Sequence, residues 1–164
     1  MRKSYDKLVG EFSVRDWDLG CLDAVSVLAK RKIRRSAACY DLVDPAYAFS
    51  KRDETDVKLL YDNDFIPIGT CGNGDFIVVF VAKTAADFEP GSVYLLSHDY
   101  GWGEAIDNPS ILPQITRLLA SNTDSFLKLA ADEQSGLPVD YFDGNDNPYR
   151  PAYMQKKKKK ARKN

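Results

Sequence analysis

Asp64-Phe65-Ile66-Pro67-Ile68-Gly69-Thr70-Cys71-Gly72-Asn73-Gly74-Asp75-Phe76-Ile77-Val78-Val79-Phe80 decides the fold. The stretch reads as strand, tight turn, strand. Phe65, Ile66 and Ile68 favour extended backbone. Gly69 and the Gly72-Asn73-Gly74 cluster offer residues that accept positive φ, as a hairpin reversal requires. Phe76 to Val81 is an unbroken β-branched and aromatic run, which predicts a central strand buried on both faces. Pro67 cannot donate to a ladder, so its strand should lie near an edge or carry a bulge.

Outward from the hairpin, Ser92 to Ser97 predicts a third strand, entered through the Pro90-Gly91 turn and ending at His98-Asp99. The strands over 65–70, 76–82 and 93–98 are expected to be consecutive neighbours, because short connections favour adjacency. Tyr100 to Glu104 reads as a loop. Leu112 to Leu119 fits a helix and a strand about equally. Asn122-Thr123-Asp124 is a capping signal for an amphipathic helix carrying Phe126, Leu127, Leu129 and Ala130. Val139 to Phe142 predicts a last short strand.

Upstream, Ser13 is placed to cap a helix with Trp17, Cys21, Val25 and Leu28 on one side. Ala38 to Val43 and Ala46 to Phe49 read as short strands broken at Asp44-Pro45. Asp53 to Asp56 opens a short helix with Val57, Leu60 and Tyr61 facing inward. The sum is an α+β single domain over 1–154. Its sheet should be mainly antiparallel, with helices packed on one side. Phe76, Val78, Phe80, Tyr94 and Leu96 are its predicted core, with Phe126 sealing a helix against them. Residues 155–164 form a lysine-rich tail, too polar to pack and expected to stay disordered.

The chain has 164 residues, 44% apolar and 29% charged, the proportions of a globular protein with a real core. No apolar run approaches a membrane span or a signal core, so a cytoplasmic protein without a membrane partner is expected. Three widely separated cysteines and one histidine argue against a disulfide framework and against structural zinc, and no cofactor is implied. The net charge of −1 hides a segregation. Residues 59–155 hold 4 Lys/Arg against 14 Asp/Glu, whereas 156–164 hold 7 Lys/Arg and no acid. The acidic half should repel nucleic acid and attract basic proteins, leaving only non-specific nucleic-acid contact to the tail.

Phe65-Ile66-Pro67-Ile68-Gly69, Gly72-Asn73-Gly74-Asp75, the strand Phe76–Phe80, Val93 to Asp99, and Leu118 to Leu127 follow one another in an order that resembles the core of the SUKH superfamily. That group contains bacterial immunity proteins and fungal cell-wall-synthesis regulators. The resemblance rests on a hydrophobic-Pro-Ile-Gly segment, a Gly-Asn-Gly-Asp turn before a core strand, a strand ending at His-Asp, and a Ser-Phe helix, Ser125-Phe126-Leu127 in this chain. It covers about residues 64–130. Many members carry a Leu-Pro…Asn-Gly-Gly segment where this chain has Asp41-Leu42-Val43-Asp44-Pro45, so the first third is a divergent version. The resemblance makes Ile115–Ala120 a strand.

It also implies a non-enzymatic function: neutralising a cognate toxin domain, in many cases a nuclease, by direct binding. The alternative it implies is a regulatory scaffold of the cell-wall-regulator type. A nuclease presents a basic cleft to phosphates. Asp75, Asp99, Glu104 and Asp107 are candidates to meet it, beside Tyr100 and Trp102 as aromatic anchors. The bland alternatives are solvated or capping carboxylates and a Trp102 ring folded back over the sheet. An enzyme built on His98, Asp99, Asp75 and Glu104 is disfavoured. Neighbouring side chains on a strand point to opposite faces, so Ser97-His98-Asp99 is not a triad. Gly72-Asn73-Gly74 lacks the Lys and helix of a phosphate loop.

Overall fold

A computed structural model describes residues 10, 17, 40–43, 49–51, 53–71, 73–84, 87–132 and 137–138. Of the helix expected after Ser13 with Trp17, Cys21, Val25 and Leu28 on one side, Trp17 is the residue described, and it is not helical there: it pairs with Ala82 in an isolated antiparallel bridge. The strand expected at Val139 and the lysine tail lie outside the described residues.

Among the described residues, five strands form one antiparallel sheet: β1 (Asp41–Leu42), β2 (Phe65–Thr70), β3 (Phe76–Phe80), β4 (Val93–Leu96) and β5 (Thr116–Ala120). Their spatial order is their chain order, so the three expected strands are consecutive neighbours and β3 is the middle strand. Helical elements flank the sheet. Helix α1 (Thr55–Asp62) precedes β2. Helix α2 (Trp102–Asp107) and a 3-10 helix (Pro109–Gln114) fill the β4–β5 connection, and helix α3 (Thr123–Ala131) follows β5. The strand reading of Leu112 to Leu119 therefore holds from Thr116 onward. Asn122 caps α3, its side chain accepting the Ser125 N–H at 2.8 Å.

The β2–β3 register slips between Pro67 and Gly69, which is the bulge that Pro67 calls for. Gly69 is not there for positive φ. A Cβ on Gly69 would stand 2.7 Å from the Asp41 backbone oxygen, so glycine lets β1 approach. Among the described residues of the turn, Gly74 has positive φ, at 96°. The expected strand over Ala46 to Phe49 is contradicted at its end. Phe49 is helical and packs edge-on against Tyr61, ring centroids 5.6 Å apart.

The period of two sorts the core into two layers. Ile66, Ile68, Ile77, Val79, Val93 and Leu95 face one way and meet Phe126, Leu127 and Ala130 of α3. Phe65, Val78, Phe80, Tyr94 and Leu96 face the other way and meet Leu59, Leu60, Trp102, Ala105, Ile111 and Leu112. The α+β antiparallel fold is as expected, but its helical cover is two-sided. Strands apolar on both faces need cover on both. Phe126 correspondingly seals the layer of Ile77 and Val79 and not that of Val78 and Phe80. Phe76 is only partly buried. In the second layer Phe65, Phe80, Phe88 and Tyr94 form an aromatic cluster with edge-on contacts, Phe65–Phe88 at 4.9 Å and Phe88–Tyr94 at 5.4 Å.

Candidate functional site

The β2–β3 turn and the segment leaving β4 meet at one end of the sheet. In the turn, the Gly74 N–H donates to the Cys71 carbonyl and the Cys71 N–H to the Asp75 carbonyl, both at 2.9 Å. Asp75 enters β3 with its side chain turned inward, 1% exposed. Its Oδ1 accepts the His98 backbone N–H at 3.1 Å and faces His98 Nδ1 at 3.3 Å. Its Oδ2 accepts from Asn73 Nδ2 at 3.1 Å. A buried carboxylate is tolerable only with such partners. Asp75 thus ties the turn to the end of β4 and does not present a charge to a partner.

His98 Nε2 faces Asp99 Oδ1 at 3.1 Å. The alternation rule does not separate these neighbours, because β4 ends at Leu96 and the chain turns before them. The imidazole is held between two carboxylates. Either tautomer donates to one of them, and a doubly protonated ring donates to both. Ser97 Oγ accepts the Tyr100 N–H at 3.0 Å, a local turn bond. Asp99 itself is solvated, its side chain 69% exposed.

Tyr100 is half-buried and touches both apolar layers. Trp102 is 7% exposed and opens α2, so the segment read as a loop is helical from that residue on. Its ring lies 5.3 Å from Phe76, and its Nε1–H donates to Asp56 Oδ1 at 2.9 Å. The folded-back ring is the observed one. Trp102 fastens α2 to the first turn of α1 across 46 residues of sequence. Trp102→Phe, which removes this donor and keeps an aromatic ring, is expected to cost about 1 kcal/mol in a denaturant melt.

Glu104 and Asp107 are exposed and three residues apart on α2, hence on one side of it. Asp53, Glu54 and Asp56 are exposed at the start of α1, which the Trp102–Asp56 bond brings alongside. Ile106, 40% exposed, adds an apolar residue to α2. Sequence reasoning missed Asp56, Glu54 and Ile106. No local pattern joins residues 46 apart, and an exposed isoleucine in a six-residue helix has no periodic signature.

Of the six candidates, the structure brings Asp99, Glu104 and Asp107 to the surface and places Asp75 and Trp102 inside. Among the described residues no group of three or more His, Cys, Asp or Glu is placed to hold a metal ion. No helix among them is long and apolar enough to cross a membrane. Comparisons with protein-family models, with curated proteins and with solved structures give no match to this chain.

Proposed function

We propose that this chain is a non-enzymatic binding module of the immunity-protein type, neutralising a basic toxin domain, a nuclease, by direct contact. One observation carries the reading: exposed carboxylates stand on adjoining elements, Asp53, Asp56 and a Glu54 paired with Lys51 at the start of α1, and Glu104 and Asp107 on α2. The two on α2 belong to a stretch, residues 59–155, that holds 14 acids against 4 bases. Such a surface is complementary to a phosphate-binding cleft and steers it during encounter. The resemblance to the SUKH superfamily supplies the class of partner.

The test is co-expression with nuclease toxin domains encoded beside the gene, scored by survival and by capture of the pair. Steered association should slow steeply with salt, since exposed charges are screened beyond about 8 Å at physiological ionic strength. Replacing Glu104 and Asp107 together by Lys should slow association roughly tenfold at low salt, with the melting temperature little changed. Failure of every neighbouring toxin to bind would transfer the reading to the regulatory scaffold. Turnover of a substrate that disappears in His98→Ala would end both binding readings.

A further inference from the structure

The β2–β3 turn joins an asparagine to a glycine, the pair most prone to lose the side-chain amide, because glycine leaves its own nitrogen unhindered. We propose that Asn73 is a latent deamidation site, kept shut by the hairpin turn that Asp75 latches to His98. In the reaction the Gly74 backbone nitrogen gives up its proton to solvent and attacks Asn73 Cγ. The Cγ–Nδ2 bond breaks, and the amide leaves as ammonia after taking up a proton. Water then opens the five-membered imide at either carbonyl, giving aspartate or isoaspartate at 73.

Each requirement is opposed by a bond in the turn. The nucleophile is engaged, since the Gly74 N–H donates to the Cys71 carbonyl at 2.9 Å. The leaving group is engaged, since Nδ2 donates to Asp75 Oδ2 at 3.1 Å. The carboxamide oxygen is held on both sides, by the Cys71 thiol at 2.7 Å and the Asp75 N–H at 3.2 Å. The attack needs the nitrogen over the face of the carboxamide, so these bonds must open first. Asn73 is exposed, so water reaches the site without further rearrangement. The latch is Asp75, whose other oxygen is fixed by the backbone and ring of His98.

Reaction is also expected to be self-reinforcing. A carboxylate at 73 has no hydrogen to give to Asp75 Oδ2 and places a second negative charge against it. The turn that protected Asn73 is then weakened by its product.

The experiment follows the full chain at mildly alkaline pH, with the Asn73 peptide resolved from its aspartate and isoaspartate forms by mass and chromatography. Conversion in the native protein should be at least about tenfold slower than in the same chain held unfolded in urea, the factor expected when charge-assisted bonds must open. His98→Ala, if folded, should raise the native rate several-fold. If that variant does not fold, hydrogen exchange of the wild-type Gly74 amide replaces it, and conversion should rise in step with exchange as urea increases. Asn73→Asp should lower the protection of the Gly74 and Asp75 amides. Equal rates in native and unfolded chain would overturn the proposal. So would an unchanged rate in folded His98→Ala, conversion that does not follow exchange, or full protection in Asn73→Asp.

Discussion

Phe126→Ala should lower the unfolding free energy by about 3–5 kcal/mol, read from urea melts analysed with a common slope. Phe126 is 0% exposed and sits where α3 closes the first layer, its ring 5.9 Å from that of Tyr40. Truncation removes most of the ring from a site flanked by β-branched and aromatic side chains, which cannot all collapse inward. Phe126→Leu keeps most of the volume and should cost much less. Leu118→Ala supplies the contrast, because Leu118 is 54% exposed on β5 and should be close to neutral. Similar losses at positions 126 and 118 would show that the two faces of the sheet have been wrongly assigned.

The second large effect is expected at Asp75. Asp75→Ala should cost about 2–3 kcal/mol, the range for hydrogen bonds to a charged group together with donors left unmatched. The His98 N–H and Asn73 Nδ2 lose their acceptor at once, and the His98 ring loses one as well whenever Nδ1 carries a proton. The damage should be local as well as global. Hydrogen exchange at the His98 amide should accelerate more than at Val79, which is buried in the middle strand. Asp75→Asn retains one acceptor of the same shape and should fall between Asp75→Ala and the parent chain. A neutral Asp75→Ala would mean that the carboxylate does not latch the turn.

The sheet was legible in the sequence because its strands announce themselves locally. Pro67 forecast its own bulge, and Phe76 to Phe80 forecast the middle position of β3. Asn122 likewise marked the start of α3 through a bond to a residue three positions on. What stayed hidden depends on residues distant in sequence. Trp102 reads as an interface anchor until Asp56 is seen to accept its hydrogen. Asp75 reads as a surface charge until His98 is seen to cover it. Gly69 reads as a turn residue, although the reason for it is the backbone of Asp41, 28 positions earlier. The two-sided cover follows from the alternation in β3 and β4. Yet the apolar helix at Phe126 gives no sign of which face it takes.

The chain-order sheet bears on how the molecule assembles in time. Only residues 71–75 separate β2 from β3, so closing that hairpin restricts a very short loop. Closure entropy grows with loop length, about 0.6 kcal/mol for each doubling. The β4–β5 connection, residues 97–115, and the β1–β2 connection, residues 43–64, therefore cost more and should close later. Folding is expected to begin at the β2–β3 hairpin and add β4 before β5 and β1. Val78→Ala should then slow folding, while a truncation on β5, such as Leu119→Ala, should chiefly hasten unfolding. The bonds around Asn73 would in that case be among the earliest formed in the folding chain.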